Sequence, residues 1–206
     1  MKPLPRPLLL ALAAALILTQ PFRALRADDA ALPAALDQLR SSSDASGDAT
    51  LKSVGGDLAA KTEALNKSLA DNPAASSQLS GLIQSLASNK GTESIASLQK
   101  LTEAKLTPDQ VKLAKEVGNL GSAYLVQRNL GSLEGSQGDV AQIVNSLRKG
   151  KLTESLPAIQ KVAHNAKLTG PQKDLLGALA DRYAPGTKKV GDALSNGLKS
   201  VPGFGK

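Results

Sequence analysis

The segment KGTESIASLQK at residues 90–100 returns as KLTESLPAIQK at 151–161. The match extends in both directions, with LIQSL (82–86) over IVNSL (143–147) and AKLTPDQ (104–110) over AKLTGPQ (166–172). The offset is 61 residues and becomes 62 where Asn165 is inserted; fourteen positions are identical between Ser85–Leu113 and Ser146–Leu175. Self-similarity at a fixed period marks a supersecondary unit whose neighbouring copies cover each other's apolar faces. Any fold for this chain must therefore be built from a unit that packs against its own likeness.

Each copy reads as three helices. In the first, Asn72 and Pro73 supply a cap and a first-turn proline, and Leu79, Leu82, Ile83 and Leu86 follow at helical spacing. Asn89-Lys90-Gly91 breaks that helix, Thr92 is placed to cap the next, and Ile95, Leu98 and Leu101 form its apolar face. Thr107-Pro108-Asp109-Gln110 then has the form of a capping box, in which a threonine hydroxyl and a glutamine side chain satisfy each other's backbone amides. The third helix carries Val111, Ala114 and Val117 and continues through Tyr124, Leu125, Val126 and Leu130, leaving Gly135–Asp139 as the joint. The second copy repeats the pattern with Val140, Ile143 and Leu147, then Leu156, Ile159 and Val162, then Thr169-Gly170-Pro171-Gln172 before Leu175, Leu176 and Leu179. Pro157 places the cap of its middle helix at Thr153 or Ser155, because proline fits near a helix start. No period-two alternation persists over a strand's length, so the expected class is all-α: a helical bundle of two tandem three-helix repeats with helical additions at both ends.

The ends are read separately. Lys2 and Arg6 precede an apolar run from Leu8 to Leu18, and a turn-forming region closes on Ala27, as in a secretory signal peptide over residues 1–27. The run falls short of the roughly 20 apolar residues of a transmembrane span. The expectation is export to the periplasm or the extracellular space, with no integral membrane span. Residues 28–72 read as an N-terminal helical segment: Leu32, Ala35, Leu36 and Leu39 form a short stripe, SSSDASGDAT (41–50) reads as a flexible linker, and Leu51, Val54, Leu58, Thr62, Leu65 and Leu69 form a second stripe. The repeats occupy 73–134 and 135–184, and a C-terminal amphipathic helix and tail built on Val190, Leu194, Leu198 and Val201 occupy 185–206. The chain has no cysteine, so its stability rests on burial alone.

The formal charge of +7 is unevenly distributed. Residues 28–144 hold 10 basic and 14 acidic side chains, whereas 145–206 hold 11 and 4. Arg148, Lys149, Lys151, Lys188 and Lys189 are the candidate basic binding face, suited to an acidic protein partner or an anionic surface. Nucleic-acid recognition lacks its stacking aromatics, since only Tyr124, Tyr183 and Phe204 follow the leader. A homodimer is compatible with the amphipathic repeats.

No catalytic residues, cofactor or metal site can be assembled from the sequence. The lone His164, just past an apolar stripe, lacks an orienting partner, a second histidine or a cysteine. Ser97-Leu98-Gln99-Lys100 fits the S-x-x-K pattern of serine acyl-transferring enzymes, but the second copy has Ala158 in place of Ser97 and the chain has no K-T-G element. Neither phosphate-cradling glycine motif occurs. Glu93 and Glu154, at equivalent positions, are candidates for an enzyme site without a signature; the alternative is that each carboxylate simply complements a helix N-terminus.

Leu106-Thr107-Pro108-Asp109-Gln110 and Leu168-Thr169-Gly170-Pro171-Gln172 both fit L-T-x-x-Q. Two such motifs in a small exported helical protein resemble the periplasmic stress proteins of the Spy and CpxP type. That resemblance covers ten residues, and a threonine-glutamine capping box generates the same pattern. It implies an ATP-independent chaperone whose cupped helical surface shields unfolded clients, and it carries over no binding-surface residues. The sequence thus leads to an exported, non-enzymatic binding or scaffold protein, with a chaperone as the first alternative and an enzyme as the second.

Overall fold

The computed structural model describes residues 27–183, and the side chains of all but the first few of these and Leu152. Among the described residues the fold is all-α, with eight helices: α1 (Ala27–Ala45), α2 (Ala49–Ser68), α3 (Pro73–Ala87), α4 (Gly91–Glu103), α5 (Pro108–Leu130), α6 (Gln137–Arg148), α7 (Leu152–Ala163) and α8 (Gly170–Tyr183). No helix among the described residues is long and apolar enough to cross a membrane. All of the expected leader except Ala27, and the whole C-terminal segment 185–206, lie outside the described residues.

The helix boundaries follow from local chemistry. Asn72 caps α3 by accepting from the Ala75 amide, with Pro73 at the first position. Thr107 and Gln110 form the complete capping box of α5. The α3–α4 and α6–α7 turns are the same turn built twice. Asn89 (φ 56) and Gly150 (φ 68) hold the left-handed position, and the amides of Lys90 and Lys151 each donate to a serine carbonyl, Ser85 or Ser146, at 2.9 Å. This is the Schellman closure, which needs a residue that tolerates positive φ. Glycine does so freely and asparagine at modest cost.

This turn corrects two expectations. Thr92 does not cap α4, nor Thr153 or Ser155 α7: the helices begin at Gly91 and Leu152, with Lys90 and Lys151 at the cap positions and no side-chain cap. The Schellman closure delivers the chain already directed into the next helix. In α4 the Ser94 hydroxyl turns inward instead, donating to the Lys90 carbonyl at 2.7 Å, with Ser85 Oγ 3.1 Å away. Pro157 consequently lies inside α7. The break is tolerated because only one early ladder bond is lost, at the exposed Thr153 turn.

The reading of 41–50 as a linker is also corrected. Helix α1 runs through the serines to Ala45, and only Ser46-Gly47-Asp48 separates it from α2. The reason is long-range. Ser43 is buried, its hydroxyl donates to the Leu39 carbonyl at 2.8 Å, and it faces Gly55 of α2, where a Cβ would stand 2.4 Å from Ser43 Oγ. The two helices approach closely through small residues, which a polar composition conceals.

Asp48 closes this turn. It accepts from the amides of Thr50 (2.8 Å) and Leu51 (3.0 Å), and its second oxygen accepts from Gln127 Nε2 of α5 at 2.6 Å. Burial pushes the carboxyl up, but the Gln127 bond and the two amide bonds together hold it below its ordinary value. A depressed carboxyl contributes stability that is present above the unfolded-state value of about 3.9 and is lost as pH falls through the folded one. Asp48→Ala should cost about 1 kcal/mol at neutral pH. Thermal melts of the two proteins should converge on acidification below about pH 4.

Helix α5 is the central element, in contact with α2, α4, α6 and α8. Residues 121–126 of α5 are buried without interruption, as expected of a helix surrounded by others. Around it, α1 packs on α2 and α3, α3 on α4, α6 on α7, and α7 on α8, while α4 meets α8. Buried apolar side chains from Leu32 to Leu179 form one contiguous cluster. Every position of the expected 51–69 stripe is buried, Thr62 included.

Two pairs of polar contacts hold the layers in register. The Gln110 side chain receives the Thr107 amide at 2.9 Å and donates to the Ser68 carbonyl at the end of α2 at 2.5 Å. Gln172 receives the Thr169 amide at 2.9 Å and donates to the Asn129 carbonyl near the end of α5 at 2.6 Å. Each L-T-x-x-Q glutamine therefore closes its own helix start and satisfies the end of another helix. Asn72 donates to the Lys105 carbonyl at 3.0 Å, tying the start of α3 to the α4–α5 loop. Before α6 the residue is Ser136, too short for that reach. There the inserted Asn165 spans the gap from the other side, donating to Ser136 Oγ at 2.8 Å and to the Glu134 carbonyl at 2.9 Å. Lys167 pairs with Glu134 beside it.

Candidate functional site

Three of the five candidate basic residues can be placed. Arg148 ends α6, Lys149 and Lys151 belong to the α6–α7 turn, and Lys188 and Lys189 lie outside the described residues. Arg148 does not stand free: its guanidinium donates to Asp57 of α2 at 2.7 Å and to Ser53 Oγ at 3.3 Å. Lys151 pairs with Glu154 at 3.0 Å. The exposed Lys149 alone of the three makes no ion pair among the described residues.

Arg148 and Lys149 border an open groove of about 720 Å³ between α2, α5 and α6, whose opposite wall carries Lys61 and Glu116, paired at 2.6 Å. Three cations thus meet two carboxylates, Asp57 and Glu116, and the groove has a local excess of one positive charge. Such exposed pairs contribute about 0–1 kcal/mol each to stability. They link the helices that line the groove, Arg148 of α6 to Asp57 of α2 and Lys61 of α2 to Glu116 of α5. The α2 and α5 members escaped the sequence reading because Asp57 and Arg148 are far apart in the chain; the only local signal was their opposite charge.

A second open cleft, of about 410 Å³, lies between α3 and α4. Its lining includes Gln78, Gly81, Gln84, Glu93, Ser97 and Lys100, so the S-x-x-K serine and lysine do share one surface. Glu93 pairs with Lys90 at 3.1 Å, just as Glu154 pairs with Lys151, and both acids occupy the first turn of their helices. Each is engaged by its own turn, consistent with a carboxylate that complements a helix start. His164 is exposed at the end of α7, with Nδ1 2.7 Å from the Gln160 carbonyl.

No protein-family model, curated protein or solved structure matches the chain.

Proposed function

We propose that the chain is an exported, non-enzymatic binding or scaffold protein in which two tandem three-helix units, α3–α5 and α6–α8, present a partner-binding face. The observation that supports this most is the α2–α5–α6 groove. Its rim lysine, Lys149, is exposed and makes no ion pair among the described residues, while the two other cations of the groove, Lys61 and Arg148, are engaged by Glu116 and Asp57. A surface of that kind suits an acidic segment of a protein partner, laid along the groove with its carboxylates toward the rim.

Poly-L-glutamate is a direct probe. Saturable binding is expected at an ionic strength of about 0.01 M, where the screening length is about 30 Å, and it should weaken markedly at about 0.15 M, where it is about 8 Å. Lys149→Glu should reduce it severalfold without lowering the melting temperature. Binding that ignores both salt and this substitution contradicts the reading. A parallel assay separates the chaperone alternative: near-stoichiometric suppression of heat aggregation for two unrelated clients would favour the chaperone over a dedicated binder.

A further inference from the structure

The two copies of the repeated sequence share their turns, but they differ at the positions that face the gap between their first two helices. Gln78, Gly81 and Ser97 of the first copy stand where the second has Asp139, Gln142 and Ala158, while the lysine is kept, as Lys100 and Lys161. In the second copy Asp139 and Lys161 pair at 3.6 Å, joining α6 to α7. In the first, glutamine replaces that aspartate, and Lys100 makes no ion pair among the described residues. Gly81 removes the side chain that glutamine supplies in the second copy, and a Cβ there would meet nothing within 4 Å. Packing therefore does not require the glycine. Glutamine at 78 thus leaves Lys100 unpaired, Gly81 leaves the α3–α4 cleft open, and Ser97 adds a hydroxyl one helical turn from that lysine.

From this we infer that the α3–α4 cleft is a binding site for a small polar ligand carrying a single carboxylate. Lys100 takes the charge, and the amides of Gln78 and Gln84 and the Ser97 hydroxyl meet the ligand's other polar groups. One carboxylate is favoured over phosphate for two reasons. The other lysine of the cleft, Lys90, is already paired with Glu93, and no arginine lines the cleft to grip a doubly charged anion bidentately. The inference stands independently of the α2–α5–α6 groove.

The test is a titration of the full chain, followed by amide NMR shifts, with three probes: N-acetyl-glutamate amide as a peptide carboxylate, D-galacturonate as a sugar acid, and inorganic phosphate. Saturable shifts at α3 and α4 are expected with at least one carboxylate, with Kd on the order of 1 mM. Which carboxylate binds identifies the source of the ligand. Gly81→Gln should abolish the shifts while leaving the protein folded, since the side chain enters open space. Gln78→Asp, which restores the ion pair of the second copy, should weaken binding at least tenfold. No saturable shift with either carboxylate, equal binding of phosphate, or unchanged binding by Gly81→Gln would each overturn the proposal.

Discussion

Tyr124→Ala should lower the stability of the chain by about 3–5 kcal/mol, the cost of deleting a large aromatic from a packed core. Tyr124 is fully buried in the middle of α5. Its ring lies 5.9 Å from the Arg128 guanidinium, and its hydroxyl accepts from Arg128 Nη1 at 3.3 Å. The same Nη1 donates to the carbonyls of Leu86 and Ala87 at the end of α3, at 3.3 and 3.1 Å. A cation there satisfies the Ala87 carbonyl, adds to the amide bonds that the Leu86 carbonyl already accepts, and complements the negative end of the helix dipole. Removing the ring thus opens a cavity and also releases the residue that closes α3. Tyr124→Phe keeps the volume and forfeits only the hydroxyl contact, for about 1 kcal/mol. Urea denaturation of the two variants should separate these contributions; similar losses in both would show that the hydroxyl rather than the packing dominates.

The second large effect concerns the glutamine braces. Gln110→Ala removes the reciprocal half of a capping box and the donor to the Ser68 carbonyl; Gln172→Ala does the same for Thr169 and Asn129. Each should cost about 1–2 kcal/mol, from a lost cap and a lost interhelix bond. The two share no partner, so the double variant should lose about 2–4 kcal/mol, close to the sum. Glutamate at either position retains the acceptor and loses the amide donor, so it should recover the cap but not the brace. A double variant no worse than either single one would mean that the braces do not act independently.

These glutamines show what the sequence could and could not reveal. Their capping role was legible, because threonine, glutamine and proline stood at the required spacing. Their second role was not, since the Nε2 group reaches a carbonyl of a helix brought near only by packing. The stripes at 51–69, 79–86 and 140–147 were readable because apolar residues recur at helical period. The Ser-rich end of α1 was not, because Ser43 is buried against Gly55, a contact with no local signature. Thr92, Thr153 and Ser155 resembled caps by residue type, yet the Schellman turn left them no such task. Among the candidate site residues, the cluster 148–151 was found from charge alone, whereas Asp57, Lys61 and Glu116 across the groove depend on how α2 and α5 pack on α6. The α3–α4 cleft could have been suspected without a structure, by asking where the two copies disagree: Gly81 opposite Gln142, and Gln78 opposite Asp139.

The central claim is that the buried side chains from Leu32 to Leu179 act as one core, a single frame on which groove and cleft are carried. Urea unfolding, followed at once by far-ultraviolet circular dichroism and by amide signals from α3 and from α7, tests it directly. One coincident transition for all three probes is expected, because α5 links the two halves and a shared core unfolds as a unit. Separate transitions for the α3 and α7 signals would contradict the claim and would make the two halves independent beads.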